Sequence, residues 1–229
     1  MFGLDADWFY TFSTWVLPVL VAITFHEAAH GFVAWRLGDP TARMAGRLSF
    51  NPLRHIDPFG TVVLPAMLFA LGGIMFGWAK PVPVDFRRLN NPRRDMVWVA
   101  IAGPATNLAL AVVAVLSLHA AAFLPEGAQE WTARNLINAL QINLILALFN
   151  MLPIPPLDGG RVAVGLLPDS LAYPLARLER TGMVIILGVA FLLPFLGQQI
   201  GVDLNVFYWL IGMPAMELGR LLLTLAGLV

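Results

Sequence analysis

The chain has 229 residues, 59% of them hydrophobic and only 12% charged, where a soluble globular domain carries about 25% charged residues. Its 14 basic and 14 acidic residues balance to a formal net charge of zero, so no overall field draws it to a polyanion. These figures, with a mean hydropathy of +0.76, exclude intrinsic disorder, a nucleic-acid-binding domain and an ordinary soluble globule, and they leave an integral membrane protein.

Cysteine is absent, which removes disulfides, thiolate metal ligands and a cysteine nucleophile from consideration. Residues 1–14 carry Asp5 and Asp7 and no basic group, unlike a cleavable signal peptide.

A membrane span needs about 20 mostly apolar residues. In chain order, six stretches meet or approach that length: 12–37, 59–79, 96–124, 135–152, 182–199 and 204–225. No soluble domain fits between them. The sequence therefore predicts an all-α polytopic membrane protein forming a single membrane-embedded domain over 1–229. A three-helix core falls within about 12–165, and a C-terminal helical pair within about 182–225.

The second stretch is unusual. Nine of the 14 basic residues lie between Arg36 and Arg94 and flank 59–79 on both sides. A simple crossing would put one basic cluster outside, against the positive-inside rule. Pro65, Gly72 and Gly73 also weaken a regular helix there. The expectation is a re-entrant or hairpin-like segment, which needs cover from protein or a water-filled cavity. The remaining charges then agree on sidedness. Asp5, Asp7, Glu126, Glu130 and Asp203 lie outside, and Arg161, Arg177 and Arg180 lie in the cytoplasm.

The inward half of the first span contains His26-Glu27-Ala28-Ala29-His30. Residues four apart share a helix face, so both imidazoles point the same way, about 6 Å apart along the axis. That spacing suits two nitrogen ligands on one zinc ion. Glu27 is turned to the side, where a carboxylate can take a proton from a metal-bound water and pass it to a leaving amine. Random placement of the residues of this composition gives on the order of 0.001 such motifs. A glutamate inside an apolar span also costs several kcal/mol without a partner or a role. Coincidence is thus a poor account of the motif.

A catalytic zinc takes three protein ligands and leaves a position for water. The candidates for the third are His55, His119, Asp158 and Glu217. His119 lies near the outer end of its span, and Glu217 suits snorkelling or a pair with Arg220. His55 lies in Asn51-Pro-Leu-Arg-His-Ile-Asp-Pro-Phe-Gly60 and Asp158 in Asn150-Met-Leu-Pro-Ile-Pro-Pro-Leu-Asp-Gly-Gly160. Both are on the inward side with His30. Chemistry favours Asp158 and leaves His55 open, while a helix N-cap is the ordinary use of an aspartate after a Pro-rich loop.

Together these pieces, with Gly103-Pro-Ala-Thr-Asn107, resemble the site-2 protease family of intramembrane zinc metalloproteases. The match follows the family's order and separation over most of residues 20–165. The stretch 78–95, with Lys80-Pro-Val-Pro-Val84 and Asn91-Pro-Arg-Arg94, is similar to the compact prokaryotic subgroup without PDZ or CBS domains. The resemblance implies one Zn2+ per chain held by His26, His30 and Asp158, with Glu27 as general base and acid. It also implies a substrate-positioning or oxyanion-stabilising role for Asn150. Gly103 and Pro104 are expected to allow close helix approach. Gly159 and Gly160 are expected to bring backbone near the metal, and His55 and Asp57 to anchor the cytoplasmic loop. Asn107 is expected to hydrogen-bond across the core, as interhelical glue or as part of the site.

The implied activity is hydrolysis of peptide bonds in or near transmembrane segments, in the prokaryotic plasma membrane, from a site toward the cytoplasm. The partners are then transmembrane substrates, the lipid bilayer and a regulatory membrane partner. Two other classes compete: a membrane metal transporter and a non-catalytic scaffold retaining a metal. The first needs ionisable groups in the outward halves of the spans, which are sparse. The second has no use for the unliganded carboxylate of Glu27. A membrane zinc peptidase acting on soluble substrates is a nearer rival.

Overall fold

The structure, a computed structural model, describes residues 6–63, 67 and 80–229. Every regular element among them is helical. The principal helices are α1 (Ala6–Arg36), the short α2 (Thr41–Met44), α3 (Pro92–Ala121), α4 (Glu126–Asn150), α5 (Asp158–Leu166), α6 (Asp169–Arg177), α7 (Gly182–Ile200) and α8 (Met213–Leu225). Among the described residues, three helices are long and apolar enough to cross a membrane: residues Phe9–Arg36 of α1, all of α3, and α7. α4 has the length, with 25 residues, but carries Asn135, Asn138, Gln141, Asn143 and Asn150. Most of the 59–79 segment, including Pro65, Gly72 and Gly73, lies outside the described residues; its start forms a helical turn over Pro58–Val63.

α3 is the centre of the fold and packs on α1, α4 and α5. Its buried positions include Ala100, Gly103, Pro104, Asn107, Ala111 and Ala114. They recur at three- and four-residue steps, so one face is nearly free of bulk and neighbouring backbones come close. In α1, Ala22, Ala28 and Ala34 are fully buried, small side chains that let neighbouring segments approach. Farther out, Ala111, Ala114 and Val115 meet Leu140 and Leu144 of α4 and Ala215 of α8. α7 has only 11% of its apolar window buried, against 39% and 44% for the windows in α1 and α3. Its side chains suit lipid rather than a protein interior.

Helix irregularities have identifiable partners. Pro18 lies inside α1 and offers no N–H to the Thr14 carbonyl. Asn138 of α4 supplies the missing donor, its Nδ2 reaching that oxygen at 2.9 Å. α3 begins at Asn91-Pro92, with proline at its first turn where no donor is lost. The buried Asp95 carboxylate accepts from the Asn91 N–H at 2.8 Å.

The segment 80–85 is a strap tied down from several sides. Lys80 N–H donates to the His55 carbonyl at 2.9 Å, and its own carbonyl accepts from Arg47 at 2.7 Å. Asp85 N–H donates to Asp39 Oδ2 at 2.7 Å. Asp39 is fully buried and also accepts from the Thr41 backbone and hydroxyl. At the end of the strap, a hydrogen bond from Arg87 holds the Asp85 carboxyl below its ordinary range.

Candidate metal centre

The two histidines face inward from α1 toward α3, as the four-residue spacing requires. His26 Nε2 and His30 Nε2 lie 3.0 Å apart. The third corner comes from the start of α5: Asp158 Oδ2 lies 3.2 Å from His26 Nε2 and 3.3 Å from His30 Nε2. All three side chains are buried. The structure thus brings together three of the residues singled out in the sequence, with Asp158 rather than His55 beside the two histidines.

The other candidates lie elsewhere. His55 Nε2 pairs with the Ser49 carbonyl at 2.8 Å, and its backbone carbonyl accepts from Lys80, so it anchors the loop as expected. Asp57 accepts from the Gly60 N–H at 2.6 Å. His119 reaches the Ala226 carbonyl at 3.0 Å, linking α3 to the end of α8. Glu217 is exposed on α8.

Glycine makes the site's close contacts possible. A Cβ at Gly103 would stand 2.5 Å from His30 Nε2 and 2.6 Å from His26 Nε2. The expected close approach at this position is therefore to the imidazoles themselves. Gly159 and Gly160 act differently from expectation. Cβ atoms there would meet Met151 O and Pro155 N, both at 2.2 Å. These two residues let the 151–157 loop fold back over the start of α5, and that packing is what aims Asp158 at α1.

The residues fit a metal ion by their hydrogen bonding. His30 Nδ1 lies 2.7 Å from the Val99 carbonyl, which can only accept, so Nδ1 carries the proton. His26 Nδ1 lies 2.6 Å from Asn107 Oδ1, another acceptor. With Nδ1 as the hydrogen-bond donor on each ring, both Nε2 atoms are left to converge on Asp158 Oδ2. That oxygen is buried without a hydrogen-bond partner. Three buried acceptors at this separation repel one another unless a cation lies among them. Tetrahedral ligands about 2.0–2.1 Å from zinc stand about 3.3 Å apart, close to the spacing here.

Glu27 is half-buried beside this cluster, and its Oε2 accepts from the Val82 N–H at 2.7 Å. The carboxylate is thus attached to the strap rather than to the metal-binding triad. Asn150, at the end of α4, donates from Nδ2 to the Leu146 carbonyl at 3.0 Å. Asn107 donates from Nδ2 to Ala22 O at 3.2 Å and to Asn143 Oδ1 at 2.8 Å. Sequence reasoning passes over Asn143, and it reads Val82–Val84 as an edge for an unwound substrate without linking Val82 to Glu27. The signal for Asn143 is the run of amides in a long, otherwise apolar helix, since each such group needs a partner. Nothing local signals the link from Val82 to Glu27.

Comparison with known proteins gives the same answer. The model of peptidase family M50 matches residues 14–125 and 125–195. The chain belongs to this family. It is 40% identical over 191 residues to "Putative zinc metalloprotease YwhC" of Bacillus subtilis, covering 78% of this chain and 80% of that one. It is 35% identical over 191 residues to a Mycobacterium tuberculosis protein of the same designation, Rip2, covering 83% and 70%. An archaeal relative, MJ0611 of Methanocaldococcus jannaschii, is 47% identical over 64 residues, 28% of this chain. No solved structure matches. The protein is an intramembrane zinc metalloprotease, and a transporter or scaffold role is not favoured.

Proposed function

We propose that the protein cuts other membrane proteins in or near their transmembrane segments, with His26, His30 and Asp158 as zinc ligands and Glu27 as the general base and acid. The observation that carries this reading is the convergence of three buried candidate ligand atoms beside a carboxylate that is not one of them. A zinc ion held there supplies Lewis acidity and lowers the pKa of its water toward 7.

The remaining work belongs to the chain's own groups. Glu27, aimed by the Val82 N–H, receives the water's proton and returns it to the departing amine nitrogen. Asn150 donates to the developing oxyanion through the second Nδ2 hydrogen, the first staying on the Leu146 carbonyl, and adds no buried charge. A substrate helix hides its amides in internal hydrogen bonds, so helix-weakening residues near the cut favour cleavage. The strap presents an edge to the unwound stretch. Pro81 and Pro83 have no N–H, and those of Lys80 and Val82 are committed. Arg47 takes the carbonyls of Lys80 and Pro81, so those of Val82 and Pro83 are the groups that pair with substrate N–H groups.

The six-segment topology, with 59–79 re-entrant, belongs to the same proposal. So do the single domain over 1–229, with its core at 12–165 and helical pair at 182–225, and the plasma-membrane location with the site toward the cytoplasm. The charge distribution supports this arrangement.

The test is cleavage of membrane-spanning reporter segments by the purified protein, with the cut mapped by mass spectrometry. Wild type should cut within or next to the span, lose activity to a chelator and regain it with zinc. Glu27→Gln should abolish cleavage while zinc stays bound. Cleavage that survives that substitution, or that ignores the chelator, would refute the mechanism.

A further inference from the structure

Asn107 and Asn143 form a buried chain of amides that ends on His26. Asn143 is 1% exposed and Asn107 fully buried. Asn143 Nδ2 donates to the Ala139 carbonyl of its own helix at 2.8 Å. That bond turns Asn143 Oδ1 toward α3, where it accepts from Asn107 Nδ2 at 2.8 Å. The same Asn107 Nδ2 donates to the Ala22 carbonyl at 3.2 Å. Asn107 Oδ1 is then left facing His26 Nδ1 at 2.6 Å.

The direction of the chain is fixed at each amide by a backbone carbonyl, Ala139 for Asn143 and Ala22 for Asn107, which cannot donate. Flipping the Asn107 amide would set its oxygen against Ala22 O and Asn143 Oδ1, with both repulsions buried. With Oδ1 toward the imidazole, the proton belongs on Nδ1 and the lone pair on Nε2, the form in which an imidazole binds a metal. α4 contributes none of the three donor atoms of the cluster, but through Asn143 it holds α3's amide, and α3's amide holds α1's imidazole.

We propose that Asn107 and Asn143 are positioning residues for the metal centre: the amide chain holds His26 as the Nδ1–H tautomer with Nε2 toward the ion, and Asn143 acts solely through Asn107. The proposal rests on the metal reading of His26, His30 and Asp158. Partners that orient a metal-binding histidine typically contribute 10–100-fold to metal affinity, and a relay makes that contribution indivisible.

The experiment is a double-mutant cycle read by zinc affinity, in competition with a chromogenic chelator, on full-length protein in detergent. Its members are wild type, Asn107→Ala, Asn143→Ser and the double variant. Serine at 143 keeps a donor for the Ala139 carbonyl, by the usual back-bond to the residue four earlier, but falls short of Asn107. It therefore breaks only the link between helices. Thermal unfolding of each protein without metal reports whether it folds. Should Asn143→Ser not fold, Asn143→Thr carries the same comparison.

The expected result is about 10-fold or more weaker zinc binding for each single variant, and no further loss when Asn143→Ser is added to Asn107→Ala. Two independent losses that multiply would overturn the relay, as would wild-type affinity in Asn143→Ser. If wild type binds zinc and the variants match it, this proposal alone fails. If wild type binds no metal, the metal reading fails with it.

Discussion

Replacing Gly103 with alanine is the sharpest perturbation of the metal centre, because it adds one methyl group to the floor beneath both imidazoles. The new Cβ would lie 2.5 Å from His30 Nε2 and 2.6 Å from His26 Nε2 and Cε1. Carbon–nitrogen contacts relax at roughly 3.4 Å, so either the rings or α3 must withdraw by about 0.8 Å. The rings have little freedom to rotate, since each is tied through Nδ1 to α3, at Val99 and Asn107. Metal–ligand distances tolerate about 0.2 Å. A displacement several times larger should weaken zinc binding by about 100-fold or more, beyond the usual effect of losing an orienting partner. The overpacking cost to the fold is about 1–3 kcal/mol, which a well-packed helical core survives. The assay pairs chelator competition for zinc with reporter cleavage. Gly188→Ala serves as control, since nothing lies within 4 Å of a Cβ there. Wild-type zinc affinity in Gly103→Ala would refute the packing argument and the site geometry beneath it.

Asp158→Ala should leave the helices folded but empty of zinc by metal analysis, since the two histidines alone supply only two ligands. Glu27→Gln should keep its acceptor for Val82 and retain metal by metal analysis, while reporter cleavage is lost. Val82→Pro removes the N–H that orients Glu27; kcat should fall at unchanged zinc content, with Val82→Ala, which keeps the N–H, closer to wild type. The chain has no native cysteine, so single cysteines at 57 and 85 can be labelled from either side of sealed vesicles. Same-side labelling is expected for a re-entrant 59–79, and opposite-side labelling would remove that model.

The metal centre was partly legible in the sequence because part of it is local. His26, Glu27 and His30 share one helical turn, and helix geometry alone fixes their mutual arrangement. Asp158 is not local. Residue chemistry leaves it beside His55 as a candidate, and only tertiary packing separates them: His55 Nε2 pairs with the Ser49 carbonyl, while Gly159 and Gly160 fold a loop that aims Asp158 at the two histidines. The contact of Val82 with Glu27 spans 55 residues and uses a backbone donor, which leaves no trace in side-chain identity. Asn107 carried a readable hint, as an amide in an apolar helix, but its partner Asn143 becomes visible only once α3 and α4 are packed together. The long apolar helices α1, α3 and α7 follow from hydropathy. The run of amides in α4 is legible too, but that Asn138 and Asn143 serve neighbouring helices is not.

Zinc-edge X-ray absorption on the purified protein tests the central claim most directly. The account predicts one zinc per chain with nitrogen and oxygen ligands at about 2.0–2.1 Å, the multiple-scattering pattern of two imidazoles, and loss of that spectrum in Asp158→Ala. A spectrum with one or three imidazoles, or one unchanged by Asp158→Ala, would contradict it.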